Sequence, residues 1–263
     1  MAVSLALILI NQWTLLAFLL IADVWLKVEF YRIVKNDESS PLSFAGFVAG
    51  IASISVLFAV VVYNADARFL WVCLVPILLI FVEELFKNEK NPLRNVAFTV
   101  LSLVYITLPL MTAMMIVFGR YGESVVTFNP GILVGILILI WIFDSMAYVV
   151  GVPLGKHRLY ERVSPKKSWE GTIGGTVFTI AAGFFMHNFF DGISSTDWVV
   201  IAVLVVVFGT IGDLIESQFK RSINVKDSGE TLPGHGGLLD RLDSFIFTLP
   251  WVFIYLVLKD LVS

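Results

Sequence analysis

Residues 130–150 read PGILVGILILIWIFDSMAYVV, a run of twenty-one positions with a single charge, Asp144. A helix needs roughly 20 such residues to cross the hydrocarbon of a bilayer. Comparable runs fall at 3–26, 44–63, 69–86, 95–118, 171–190, 197–217 and 244–258, which makes eight in all. Across 263 residues, 58% are hydrophobic and 15% charged, with a mean hydropathy of +0.88. A soluble domain carries about 25% charged residues, so this chain cannot cover a water-facing surface and lipid must be its main solvent. In lipid the backbone has to satisfy its own hydrogen bonds, which leaves helices or closed barrels. The half-polar alternation of barrel strands is nowhere visible. The expected fold is therefore an all-α integral membrane protein, a polytopic bundle of about eight transmembrane helices. The run that opens at Val3 has no basic leader or small-residue cleavage site, and is read as a retained first span. Cys73, the lone cysteine, lies in an apolar run and is read as packing.

The segments between runs sort by charge. Fifteen of the eighteen basic residues fall in the odd-numbered loops, among them Lys27, Arg32 and Lys35 in the first. Only Arg68, Arg120 and Lys259 fall on the other side. The positive-inside bias places the odd loops in the cytoplasm. An error of one span would scramble this alternation. The fifth and seventh loops are long, polar and glycine-rich, so the chemistry is expected there. The chain divides accordingly into N-terminal membrane helices, 1–129, and a C-terminal catalytic part, 130–263, with cytoplasmic loops at 151–170 and 218–243.

The most informative stretch runs from Gly212 to Asp243: GDLIESQFKRSINVKDSGETLPGHGGLLDRLD. Asp213, Ser217 and Lys220 stand at i, i+4 and i+7, one face of a helix. Asp213 sits at membrane-interface depth, where a carboxylate usually marks function. The bland reading pairs it with a nearby lysine. The run Gly234-His235-Gly236-Gly237 lets the backbone approach an anion. Asp240 and Asp243 follow, three residues apart, and can hold Mg²⁺, which favours oxygen ligands and keeps substrate phosphates as further ones. Lys220, Arg221, Lys226 and Arg241 bring positive charge for phosphate. Carboxylates, bases and glycines so interleaved read as a metal–phosphate site.

A second stretch, Trp141 to Gly175, reads WIFDSMAYVVGVPLGKHRLYERVSPKKSWEGTIGG. Asp144 lies deep in an apolar span and needs a partner or a polar cavity. Ser168 reads as a helix N-cap with Glu170 in the first turn. Lys166 and Lys167 beside that helix start make an anion site, or else they snorkel to headgroups.

These residues carry a resemblance. Ser217, Lys220, Arg221, Lys226, Asp227, His235, Gly236, Gly237, Asp240, Arg241 and Asp243 are similar to the S-x-x-K-R…K-D…H-G-G…D-R-x-D pattern of the phosphatidate cytidylyltransferase (CDP-diacylglycerol synthase) family. SPKKSWEG and the DSMAYVVG of the fifth span resemble two further family segments. The likeness covers about the last 120 residues closely. Earlier, only EFYRI after the first run echoes the family.

The resemblance implies that CTP and phosphatidic acid give CDP-diacylglycerol and pyrophosphate, with Mg²⁺ as cofactor. It implies Asp213 and Asp240 as the metal residues, and Ser217 and Lys220 as lining the same pocket. Arg221, Lys226 and Arg241 are then expected to clamp phosphates, with the Gly236-Gly237 backbone cradling them. Lys166, Lys167 and Ser168 are expected on the lipid phosphate or the triphosphate, and His235 in a phosphate hydrogen bond or a loop-shaping role. Asp144 and Asp243 are candidates for a second cation, or for ordering the lysines. The partners expected are CTP, phosphatidic acid, the bilayer and a second copy as a homodimer, with no nucleic acid. The expected location is a bacterial inner membrane with the active site facing the cytoplasm.

Two rivals differ in class. A CTP-using polyprenol kinase would share the metal and basic loops but release CDP instead of pyrophosphate. A transporter for an anionic solute would place polar groups at midplane in related halves. Here they gather on one face, and no internal repeat is seen.

Overall fold

The computed structural model describes residues 10–36, 38–87, 89–119, 128–223, 225, 228–229 and 237–262. Its helices are α1 (Gln12–Val34), α2 (Ser43–Val62), α3 (Leu74–Lys87), α4 (Pro92–Ser102), α5 (Leu108–Val117), α6 (Gly131–Leu154), α7 (Trp169–Met186), α8 (Ser195–Ser222) and α9 (Leu239–Val262). A 3₁₀ segment, Ala67–Cys73, leads into α3, and a π turn, Leu103–Thr107, joins α4 to α5. The protein is an all-α polytopic membrane protein. Among the described residues six helical segments are long and apolar enough to cross a bilayer: Ser43–Val62, Ala67–Lys87, Pro92–Val117, Gly131–Leu154, Ser195–Ser222 and Leu239–Asp260. The remaining two, α1 and α7, carry the first and sixth apolar runs. Asp23, Lys27, Glu29 and Arg32 interrupt α1, and Glu170 with four glycines dilutes α7.

Helices outrun the apolar windows. α1 continues to Val34, so Lys27 and Arg32 are helical and not loop residues as the charge pattern implied. Lys220 and Arg221 stand in the last turn of α8, and Asp240, Arg241 and Asp243 belong to the start of α9. The cause is physical: hydropathy marks where lipid begins, whereas a helix goes on wherever its backbone bonds and caps can be completed. The loop after α6 also contains an antiparallel hairpin, β1 (Arg158–Tyr160) with β2 (Ser164–Ser168).

The chain forms two compact units. The first comprises Met1–Arg120, Ser124–Phe128 and Asp227–Arg241; the second comprises Tyr121–Glu123, Asn129–Lys226 and Leu242–Ser263.

In the first unit, α1 lays Asp23, Lys27 and Tyr31 along one face at four-residue spacing. That stripe meets the small residues of α2. Cβ atoms built at Gly46 and Gly50 would collide with the Tyr31 hydroxyl and with the Lys27 ammonium, respectively. Small residues let helices approach closely in a bilayer. Lys27 is fully buried and donates to Asp23 Oδ2 at 2.8 Å and to the Gly46 carbonyl at 2.9 Å. Thr107, in the π turn, donates to Asp23 Oδ1 at 2.6 Å. Tyr31 and Ser102 share a 2.6 Å hydrogen bond. Leu42, Ala45 and Ile80 form an apolar cluster with Val96, Val100 and Leu103 around it.

In the second unit, α6 and α7 pack along their small residues. A Cβ at Gly171 would lie 2.6 Å from the Ala147 carbonyl, and one at Gly175 would lie 3.0 Å from Phe143. Further along, Gly183 of α7 meets Ala202 and Trp198 of α8. This close packing brings Ser168, at the end of the hairpin, against Gly151 and Gly155 at the C-terminal end of α6.

Candidate active site

Ser168 ends β2 and caps α7. Its hydroxyl accepts from the Gly171 N–H at 3.2 Å, and Glu170 occupies the first turn, both as the sequence implied. The cap fixes where the preceding lysines stand. A cavity of about 510 Å³ opens there, lined by Asp144, Tyr148, Arg158, Lys166, Lys167 and Ser168, with Phe143, Ala147 and Val152 as apolar wall. Its size is that of a small-molecule site, roughly 300–1,000 Å³. One wall is cationic and the α7 amino terminus opens into it, an arrangement that suits an anion. The polar cavity that Asp144 required is this one.

Lys167 forms an ion pair with Asp213, which α8 supplies. Asp213 is thus paired with a lysine, as the bland reading held, but the pair stands at the cavity. Asp144 has Lys167 and Asp213 as charged neighbours. Asp243, brought in by α9, is 5% exposed. Asp213 is a charged neighbour, and among the described residues no donor reaches the Asp243 Oδ2. Three carboxylates and one lysine from the sequence reading therefore gather in the second unit. Among the described residues no three acidic, histidine or cysteine side chains are arranged to hold one metal ion. Two neighbouring carboxylates with a buried, unpartnered oxygen still fit Mg²⁺, which needs one or two protein carboxylates and takes phosphate and water for the rest.

On α8, Ser217 is part-buried one turn beyond Asp213, and Lys220 bonds Glu216 at 3.0 Å. Glu216, 2% exposed, escaped the sequence reading. Arg221 is exposed near the helix end. Outside the cavity, Glu170 accepts from the His157 ring at 2.6 Å and from the Lys156 and His157 N–H groups. It precedes the apolar run that opens at residue 171. The His157 hydrogen bond, ahead of the backbone ones, holds its carboxyl well below the usual range, to about 2.

Asp240 belongs to the first unit. Its carboxylate accepts from the Ser228 N–H at 3.0 Å and the Gly237 N–H at 2.9 Å. Arg241 is exposed, and its N–H bonds the Leu238 carbonyl. Glu29 of α1 is a neighbour that the sequence did not single out: it accepts from the N–H groups of Leu238 and Leu239. The position of EFYRI just after an apolar run was its one signal. Lys226, His235 and Gly236 lie outside the described residues.

The sequence model of the Cytidylyltransferase family matches residues 1–259, nearly the whole chain. The chain belongs to the cytidylyltransferase family. Over 122 residues it is 45% identical to a protein of Staphylococcus epidermidis named phosphatidate cytidylyltransferase. Proteins of the same name from Staphylococcus haemolyticus and Staphylococcus aureus are each 44% identical over 122 residues. In each case the match covers 46% of this chain and 46% of the relative, just under half the length of the curated relatives.

Proposed function

We propose that this cytidylyltransferase-family protein joins the CMP part of CTP to phosphatidic acid, giving CDP-diacylglycerol and pyrophosphate. The observation that carries the reading is the cavity at the start of α7, where Lys166, Lys167 and Arg158 face Asp144 and adjoin Asp213 and Asp243. The relatives' name supports the choice of lipid.

Phosphoryl-type transfer asks a protein for positioning and charge neutralisation more than for a nucleophile. The lipid phosphate is already anionic, so no general base is required. One of its oxygens attacks the α-phosphorus of CTP; the bond from that phosphorus to the bridging β-oxygen breaks, and pyrophosphate leaves with the electron pair. Lys167 turns from Asp213 to a phosphate oxygen, and Lys166 with Arg158 neutralises neighbouring charge. Ser168 holds the α7 amino terminus against the same anion. The apolar wall of Phe143, Ala147 and Val152 suits the part of the lipid next to its headgroup. Lys220, Arg221, Lys226 and Arg241 are assigned to the triphosphate, with His235 and the Gly236-Gly237 backbone beside it. Ser217 lines the α8 side.

Asp213 and Asp243 would hold Mg²⁺, with Asp240 one turn before Asp243 on α9 and Asp144 as a second-cation or lysine-ordering carboxylate. When bound, the ion screens triphosphate charge and stabilises the departing pyrophosphate. The basic loops support a cytoplasmic active site in a bacterial cell membrane.

The test is radiolabelled CTP, Mg²⁺ and phosphatidic acid with detergent-solubilised protein. A labelled CDP-lipid and free pyrophosphate are expected. Release of CDP, or no labelled lipid at all, would overturn the assignment.

A further inference from the structure

α9 begins without a capping side chain of its own. The positions ahead of its first residue are Gly237 and Leu238, neither of which has a side chain that can accept a hydrogen bond. Those groups need an acceptor in a buried setting, and the acceptor comes from the other end of the sequence. Glu29, in the last third of α1 and 0% exposed, accepts from the Leu238 N–H at 2.9 Å through Oε1 and from the Leu239 N–H at 2.8 Å through Oε2. The Ser228 hydroxyl donates to Oε2 at 3.4 Å. The negative charge also lies at the positive end of the helix dipole.

The fit is close. A Cβ at Gly237 would collide with the Ser228 hydroxyl and lie 2.7 Å from Glu29 Oε2. Glu29 and Asp240 clasp the same short segment from its two sides. Glu29 holds the N–H groups of residues 238 and 239, while Asp240 takes those of Ser228 and Gly237. All of these residues belong to the first unit. We propose that Glu29 is a positioning residue for the proposed transfer: it supplies α9 with its missing cap and so sets the place of Asp240 and of the Gly237 backbone before it. The inference rests on the proposed function for its kinetic part only.

A carboxylate suits the task because both oxygens accept. A glutamine keeps the shape but turns an N–H₂ toward a backbone donor, and an aspartate keeps the charge but falls short by one methylene. Three readouts on the full chain in detergent separate positioning from bulk stability. The first is backbone hydrogen exchange of residues 237–241, the second is kcat and KM for each substrate, and the third is the unfolding midpoint. For Glu29→Gln, exchange at Leu238 and Leu239 is expected to rise at least tenfold while α1 keeps wild-type exchange. kcat is expected to fall about 100-fold, with KM for phosphatidic acid within threefold of wild type. Glu29→Asp is expected to show the same pattern at about a tenth of the kinetic size, and it stands in if the glutamine variant does not fold. Unchanged exchange at 238–239, exchange raised throughout α1, or full kcat despite raised exchange would each overturn the proposal. If wild-type protein makes no CDP-lipid, the proposed function fails by itself, and the exchange result still decides whether Glu29 anchors α9.

Discussion

Lys167, the second-last residue of the hairpin, is ion-paired with Asp213 of α8, the carboxylate that also neighbours Asp144 and Asp243. A lysine so placed serves two states. Without substrate it balances Asp213; in the proposed reaction it turns to a phosphate oxygen.

Removing that ammonium should therefore affect stability and turnover by separable routes. Lys167→Met leaves Asp144, Asp213 and Asp243 without their lysine, a loss of about 1–3 kcal/mol for an unmatched polar partner. That corresponds to a fall in Tm of roughly 2–4 °C per kcal/mol for a chain near this size. Turnover should fall at least about 100-fold, the scale of losing one charge-stabilising group. Adding Asp213→Asn should restore Tm without restoring turnover. Thermal scans and CDP-lipid formation on the three proteins check this, and recovery of activity in the double variant would contradict it.

Asp243 offers the opposite combination. Among the described residues no donor reaches its buried Oδ2, and another carboxylate, Asp213, is a charged neighbour. Asp243→Asn removes a like charge and supplies a donor. In EDTA the variant should unfold at a higher temperature than wild type, by about 2–4 °C for each kcal/mol relieved. Turnover with Mg²⁺ should fall at least about 100-fold, and added Mg²⁺ should raise the Tm of wild type more than that of the variant. Function held at the expense of stability is a recurrent property of active sites. A lower Tm in EDTA would show that Asp243 is a structural acceptor instead.

Much of this was legible beforehand, and the reasons differ by residue. Within the described residues each of the eight apolar runs falls mainly on a helical segment, because hydropathy responds directly to the solvent. Ser168 as cap and Asp213–Ser217–Lys220 on one face were legible because both are local, set by spacing within one element. The pairing of Lys167 with Asp213 was foreseen only as some nearby lysine, since the two stand 46 positions apart in sequence and helix packing decides the choice. Glu29 was illegible as a cap, because its partners lie 209 and 210 residues away. Lys27 was misplaced in a loop: a buried ion pair makes a polar stretch look like the end of a span.

That buried pair makes a sharp stability prediction. Asp23 and Lys27 are each 0% exposed and bonded to each other at 2.8 Å. Breaking such a pair from one side leaves a charge stranded in an apolar setting, at a cost of about 3–5 kcal/mol. Lys27→Met alone should therefore be severely destabilised. Asp23→Leu combined with Lys27→Met should recover most of the loss, less the Thr107 and Gly46 bonds. Unfolding midpoints in one detergent decide it, and a double variant no more stable than Lys27→Met would show that the pair is not the unit of stability.

The last prediction concerns how the cavity keeps its shape. Two glycines face each other across α6 and α7, but the space around them is unequal. A Cβ on Gly171 would lie 2.6 Å from the Ala147 carbonyl and 3.0 Å from the Gly151 Cα, both backbone atoms that cannot swing aside. A Cβ on Gly151 would meet the Ser168 hydroxyl at 3.3 Å and the Gly171 Cα at 3.4 Å, a contact that a small adjustment relieves. Gly171→Ala should therefore force the helices apart, with an overpacking cost of about 1–3 kcal/mol, and draw Lys167 and Ser168 away from Asp144. Turnover should drop by a larger factor than the Tm change alone would suggest, with a raised KM for phosphatidic acid. Gly151→Ala should stay within about 0.5 kcal/mol of wild type in stability. Side-by-side Tm and KM measurements test the contrast, and equal effects from the two substitutions would mean that this helix contact does not set the cavity.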